Sequence, residues 1–246
     1  MSLFKAFSYT QKDTLIHRLD PRSKLFFVIV FTLLSLIYVE IEIEIFLLLI
    51  TLLLLSIARS LMEWLTTIKF LSLMIILIFI FNFIYTSLYF AISMVLRLLI
   101  LTATFSIFFL TVHPDDLYQA LIQMKIPFHY AFAFSMAVRF VPTLALEART
   151  IMEAQMSKGL ELEKGGLFKK AKNFIPILAP LVVNSIRRAI QIAESLESRG
   201  FGAVANRTSL YQLHIRPIDY LFIFLTIMVS VALLLLNYTS LSISCL

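Results

Sequence analysis

The chain has 246 residues, of which 60% are hydrophobic and 15% charged, with a mean hydropathy of +0.93. No globular interior of this size absorbs that much apolar surface, so composition excludes a soluble domain and indicates an all-α polytopic membrane protein. The single cysteine, Cys245, excludes a disulfide framework and a thiolate metal cluster, and the net charge of +6 is informative through its placement along the chain rather than as a nucleic-acid signal.

Residues 1–24 are polar and mixed in charge, with no small-residue cleavage site after a short apolar core, so a cytoplasmic N-terminal segment is expected rather than a removable signal peptide. Four transmembrane helices are expected within 25–111: Leu25 to Tyr38, Ile45 to Ala58, Phe70 to Ile84 and Leu88 to Thr111. Glu40, Glu42 and Glu44 are expensive at mid-membrane and are assigned to an outside turn, and "NFIYTS" to a second reversal. Residues 112–217 are expected to form a cytoplasmic domain of amphipathic helices, and 218–246 a fifth span, Tyr220 to Tyr238, with a short external tail. Runs this short also fit four or six spans. Five cations precede the first span, thirteen lie between Thr111 and Pro217, and none follows Tyr238. The positive-inside rule therefore places the N-terminus and the basic segment, with the Arg59 to Lys69 connection, in the cytoplasm and the C-terminus outside.

Within the basic segment, "HPDDLYQAL" carries the start signals of a helix from Pro114 to Met124, ended by Pro127. A second helix is expected from about His129 to Lys158, bent near Pro142. After "ELEKGG" a third is expected from about Phe168 to Arg199, interrupted near Pro176 and Pro180. The second ends in Ser157-Lys158-Gly159 and the third in Ser198-Arg199-Gly200, 41 positions apart. Glycine past a helix end accepts the left-handed conformation, and a cation in the last turn faces the negative end of the dipole, so capping explains either motif alone. Helical spacing adds a second reading. Glu147, Ile151, Ala154 and Lys158 share one face, as do Arg188, Ile192, Ser195 and Arg199, so each cation crowns an amphipathic helix and suits docking into a partner's pocket.

These stretches resemble the transmembrane T component of energy-coupling factor transporters, the family that includes membrane subunits of cobalt, nickel and biotin uptake systems. "HRLDPRSKL" at 17–25 is similar to its N-terminal signature, with His17, Asp20, Pro21, Arg22 and Lys24 as the matching residues. "TVHPDDLYQAL" at 111–121 resembles the entry to its cytoplasmic domain. "VRFVPTLALEARTIMEAQMSKGL" at 138–160 and "ESLESRGFG" at 194–202 resemble its two Ala-Arg-Gly regions, and Arg97 falls where the family has an intramembrane arginine. Serine replaces alanine in both, and Lys158 replaces the first arginine, losing the planar fork that makes bidentate contacts.

The resemblance implies a non-catalytic coupling subunit of an ABC-type importer in the cell membrane. Two cytoplasmic ATPases would dock on Ser157, Lys158, Gly159, Ser198, Arg199 and Gly200, supported by Arg139, Pro142, Glu147, Ala154, Gln155, Arg188 and Glu194. A substrate-capturing S component in the bilayer would take vitamins or transition-metal ions. ATP and Mg would be used by the ATPases, with no cofactor bound by this chain and no nucleic-acid partner. Residue types agree: the five glycines, 159, 165, 166, 200 and 202, form no phosphate-cradling loop. His17, His113, His129 and His214 show no ligand spacing, so no metal site is expected. Arg97 is expected to face a carboxylate, protein or water, and Asp20, Pro21 and Arg22 to cap the first span. The Met residues 124, 136, 152 and 156 read as packing surface. A membrane enzyme acting on phosphate-bearing lipid is the alternative. It wants clustered acidic ligands, which the scattered Glu147, Glu153, Glu161 and Glu163 do not supply.

Overall fold

The computed structural model describes residues 14–160, 166, 172–203, 213 and 215–244, with backbone alone over 236–244. The described residues are helical, without strands, and fall into two compact units. The first comprises Tyr9–Ile126 and Leu213–Leu246. It contains α1 (Pro21–Ile37), α2 (Ile41–Ile57), α3 (Leu61–Tyr85), α4 (Leu88–Thr111), α5 (Pro114–Gln123) and α8 (Pro217–Ser244). The second, Pro127–Gln212 with Met1–Ser8, contains α6 (Phe128–Ser157) and α7 (Ile175–Ser198). Residues 1–13, 161–165, 167–171 and 204–212, with His214, Cys245 and Leu246, lie outside the described residues.

In the first unit α4 packs against α1, α2 and α3, and α1 also packs against α8. Small residues make this possible, since Ala91, Ser93, Ala103 and Thr104 of α4 are fully buried and let neighbouring backbones approach. Thr104 and Thr111 donate their hydroxyls to Ile100 O and Ile107 O of their own helix, at 2.8 and 2.6 Å, so neither of these two hydroxyls is stranded in the apolar core. Around them Phe27, Phe31, Leu47, Leu55, Ile100 and Ile107 form the buried cluster.

Helix α4 matches its expected bounds because Ser87 caps it, accepting from Phe90 N–H at 3.3 Å. α1, α2, α3 and α8 begin before their expected starts, whereas α7 begins at Ile175, later than the expected Phe168. α2 begins at Ile41, so Glu42 and Glu44 lie in its first turn and only Glu40 stands before it. The acidic stretch is a helix start, where carboxylates face the positive end of the dipole, and not a free turn. Likewise α3 begins at Leu61, absorbing most of the connection expected from Arg59 to Lys69. A turn at Phe174 separates helical residues 172–173 from α7, whose first turn holds Pro176, so the expected interruption near Pro176 is present, whereas Pro142 and Pro180 sit inside helices that continue through them. α5 ends at Gln123, before Pro127, because Lys125 takes a left-handed φ of 64°.

Among the described residues five helices are long and apolar enough to cross a membrane: α3, α4, α6, α7 and α8 as far as Leu235. The number agrees with expectation but the membership does not. α1 and α2 are 17 residues each, about 26 Å of helix, whereas α6 and α7 qualify despite their charges.

Candidate functional site

Both twin motifs end their helices by the same hydrogen-bond pattern. Leu160 N–H donates to Gln155 O at 3.0 Å and Gly159 N–H to Met156 O at 2.9 Å; Phe201 N–H donates to Leu196 O and Gly200 N–H to Glu197 O, each at 2.9 Å. This is the Schellman arrangement, which needs a left-handed residue after the cap. Gly159 supplies it at φ 92° and Gly200 at φ 75°. The α2 and α5 ends use the same pattern with Arg59 and Lys125 in the left-handed position. Among the described residues, only at the two tips does a cation cap the helix and a glycine make the turn.

Lys158 and Arg199 are exposed, and neither has an ion-pair partner among the described residues. Ser157 and Ser198 turn their hydroxyls back onto Glu153 O and Ser195 O, both at 2.9 Å, leaving the cation as the outward group of each motif. Ala154 and Glu194 are also exposed, and Arg139 lies on α6 just before Pro142.

The two helices run antiparallel. Phe201 packs at a tilt against Phe128 and Phe132, with ring centroids 6.0 and 5.1 Å apart. Further along, Glu147 accepts from Asn184 Nδ2 through Oε1 and from Arg188 Nη2 through Oε2, both at 2.8 Å. Further still, Gln155 Nε2 donates to Pro176 O at 3.3 Å. Pro180 has no N–H to offer that carbonyl one turn back, so Gln155 satisfies an acceptor that the α7 proline leaves open. As position advances along α6 its partner retreats along α7, which puts Lys158 and Arg199 at opposite ends of the pair. Arg199 lies level with about residue 132, so the tips are separated by roughly 26 residues of helix, about 39 Å.

The N-terminal signature is a structural clasp in the other unit. Asp20 caps α1, accepting from Arg22 N–H at 2.9 Å, and Pro21 opens the helix. Asp20 N–H donates to Asp219 Oδ1 and Arg216 N–H to Asp219 Oδ2, both at 2.7 Å. Lys24 Nζ donates to Thr111 O at 3.0 Å, a carbonyl at the end of α4, and to His17 O at 3.4 Å, while His17 Nδ1 lies 2.7 Å from Thr14 Oγ1. One short motif thus binds α1 to the end of α4 and the start of α8. Nearby, burial pushes the Asp116 carboxyl above the ordinary aspartate range, with His113 and Lys24 pulling the other way.

Arg97 faces protein and a carboxylate. Its Nη2 donates to Tyr38 O at 2.8 Å, an unpaired carbonyl at the α1 end, and its Nε lies 3.6 Å from Glu44 Oε1, with the Glu44 side chain fully buried. Sequence reasoning missed Glu44, Asn184 and Asp219 as partners. For Glu44 the signal was present, since a lone intramembrane arginine asks for a carboxylate; Asn184 and Asp219 carry no local pattern. Among the described residues no group of three His, Cys, Asp or Glu could hold a metal.

A family model described as cobalt transport protein matches residues 12–210. Among curated proteins, the energy-coupling factor transporter transmembrane protein EcfT of Bacillus selenitireducens is 31% identical over 84% of this chain and 87% of its own length. That of Lactococcus lactis is 31% identical over 94% and 97%, and that of Brevibacillus brevis 32% over 83% and 87%. The match takes in the clasp, Arg97 and both helix tips together, and the chain belongs to this family as the transmembrane T component of an energy-coupling factor transporter.

Proposed function

We propose that this T component is the non-catalytic coupling subunit of an ABC-type importer in the cell membrane. It carries motion from two cytoplasmic ATPases to a substrate-capturing membrane subunit for vitamins or transition-metal ions. The observation that carries the reading is the antiparallel α6–α7 pair, which presents one exposed cation at each end, about 39 Å apart. Two independent caps need no such arrangement, whereas two separate sockets do. Lys158 is a point charge and Arg199 a planar fork, so the two ATPase contacts differ in kind. ATP and Mg belong to the ATPases; this chain binds no cofactor.

In this reading α1, α2, α3, α4 and α8 cross the membrane. The 17-residue α1 and α2 span by snorkelling at their ends. α6 and α7 lie at the cytoplasmic face, because they carry Arg139, Glu147, Arg149, Glu153, Arg187, Arg188, Glu194 and Glu197, a load that lipid does not tolerate. The experiment is co-expression with candidate pairs of ABC-type ATPases from the same genome. Wild type is expected to co-purify with both, and Lys158→Glu with Arg199→Glu to lose them while the protein stays in the membrane with unchanged thermal stability. Retention of both ATPases by the double variant reduces the motifs to helix caps.

A further inference from the structure

The α6–α7 pair is pinned near its middle. Glu147 is eleven residues before Lys158, and Arg188 is eleven before Arg199. Because the helices are antiparallel, the middle of the Glu147–Arg188 ion pair sits about equally far from both tips, roughly 20 Å of helix on each side. Both carboxylate oxygens are engaged, one by Asn184 and one by Arg188, at 2.8 Å, and the Glu147 side chain retains 18% exposure. A two-donor grip resists sliding and separation more than a single contact does, and because both donors meet one carboxylate it leaves the crossing angle free to change.

Proline placement fits a pivot. Pro142 lies five residues before Glu147, and Pro180 four before Asn184. Each removes one backbone hydrogen bond, so each helix is softest just upstream of the clasp, whereas the segments running from clasp to tip contain no proline. Gln155 secures the first of these stiff arms near its tip by holding Pro176 O.

We propose that Glu147, Asn184 and Arg188 are the positioning residues of a central pivot with arms of equal length, which keeps the two tips in one defined relation. A displacement imposed at Lys158 then appears at Arg199 and is not dissipated by the helices slipping past each other. This rests on the coupling reading above. Without the pivot the ATPases still bind the tips and hydrolyse ATP, but the tips move independently.

The test uses the full chain with Cys245→Ser and nitroxide labels at the exposed positions Met156 and Glu197, in nanodiscs, read by electron–electron dipolar distance measurement. Wild type is expected to give one narrow distance population. Glu147→Gln and Arg188→Met are each expected to broaden it at least twofold, and the exchange Glu147→Arg with Arg188→Glu to restore the narrow width, since the Asn184 amide can present its oxygen to the relocated arginine. Wild-type width in either single variant, or a broad distribution in the exchange, overturns the pivot. A second arm adds co-purified ATPases with ATP and vanadate. The wild-type population should remain single and narrow, and Glu147→Gln should stay broad while ATP hydrolysis remains within twofold of wild type; a wild-type population that splits or broadens overturns the proposal. If no ATPase co-purifies, the coupling reading fails, and the first arm still decides the pivot.

Discussion

An added Cβ at Gly159 or Gly200 would meet nothing within 4 Å, so alanine at either position is penalised by conformation alone. The left-handed region costs a non-glycine residue about 1–2 kcal/mol, and Gly159→Ala and Gly200→Ala are each expected to destabilise by about 1 kcal/mol, measured as a lower unfolding temperature in detergent. Lys125 makes the opposite case. It holds φ 64° in the same hydrogen-bond pattern at the α5 end, so Lys125→Gly is expected to stabilise by up to about 1 kcal/mol. Ser157 and Ser198, bonded to their own helices, should tolerate alanine with ATPase binding unchanged. At Asp116 the sign of the pH effect follows from burial. Its carboxyl titrates above the ordinary aspartate range in the folded protein, so the fold binds this proton more tightly than the unfolded chain does. Its stabilising contribution is complete below the unfolded value and is lost as pH rises through the folded one. Asp116→Asn should therefore unfold at a higher temperature than wild type near neutrality, with the advantage vanishing at acid pH.

Helices were legible where the sequence holds both a start signal and an unbroken run, as with Ser87 before α4 and Pro114 opening α5. They were misjudged where a polar residue admits two local readings. Glu44 reads as a turn residue by proximity to Glu40 and Glu42, yet inside α2 it points into the bundle and meets Arg97. Only the three-dimensional neighbour separates these readings. Both tips were legible because glycine is scarce here, and the direction of α6 against α7 was not, because it depends on contacts such as Glu147 with Asn184, 37 residues apart. Asp219 was illegible for the same reason at longer range, joining Asp20 across 199 residues. It accepts from two backbone N–H groups at 2.7 Å, and bonds of this charged kind are worth roughly 1.5–3 kcal/mol each. Asp219→Ala is expected to destabilise by about 3 kcal/mol, read by thermal unfolding, and Asp219→Asn by less, since one acceptor oxygen remains. Arg97 and Glu44 call for a cycle of variants. Removing one buried partner strands the other and costs about 3–5 kcal/mol, whereas replacing both with apolar residues removes the stranded charge. Arg97→Leu or Glu44→Leu should impair folding, and the double variant should recover most of the loss.

For the whole molecule, orientation follows from where charge can be left in lipid and where it cannot. Cations crowd the segment before α1 and the stretch from Thr111 to Pro217, and the chain beyond Arg216 has none. The same unevenness separates two kinds of long helix: α3, α4 and α8 are strongly apolar along their candidate spans, whereas α6 and α7 are the least apolar of the five and carry the clasp and both tips. If α6 and α7 crossed the membrane as well as α1 and α2, Lys158 and Arg199, at opposite ends of an antiparallel pair, would face opposite compartments, and no pair of cytoplasmic ATPases could reach both. In the proposed reading the tips put α6 and α7 on one side of the membrane, and the positive-inside rule favours the cytoplasm. With α1, α2, α3, α4 and α8 as the five spans, that proposal places the C-terminus outside. The single cysteine, Cys245, follows α8 and lies outside the described residues, so it reports this topology without any engineered thiol. Intact cells treated with a membrane-impermeant maleimide should label Cys245, and a cysteine at position 158 in a Cys245→Ser background should label only after the membrane is opened. Labelling of position 158 in intact cells would reverse the orientation and remove the ATPases from reach of the tips.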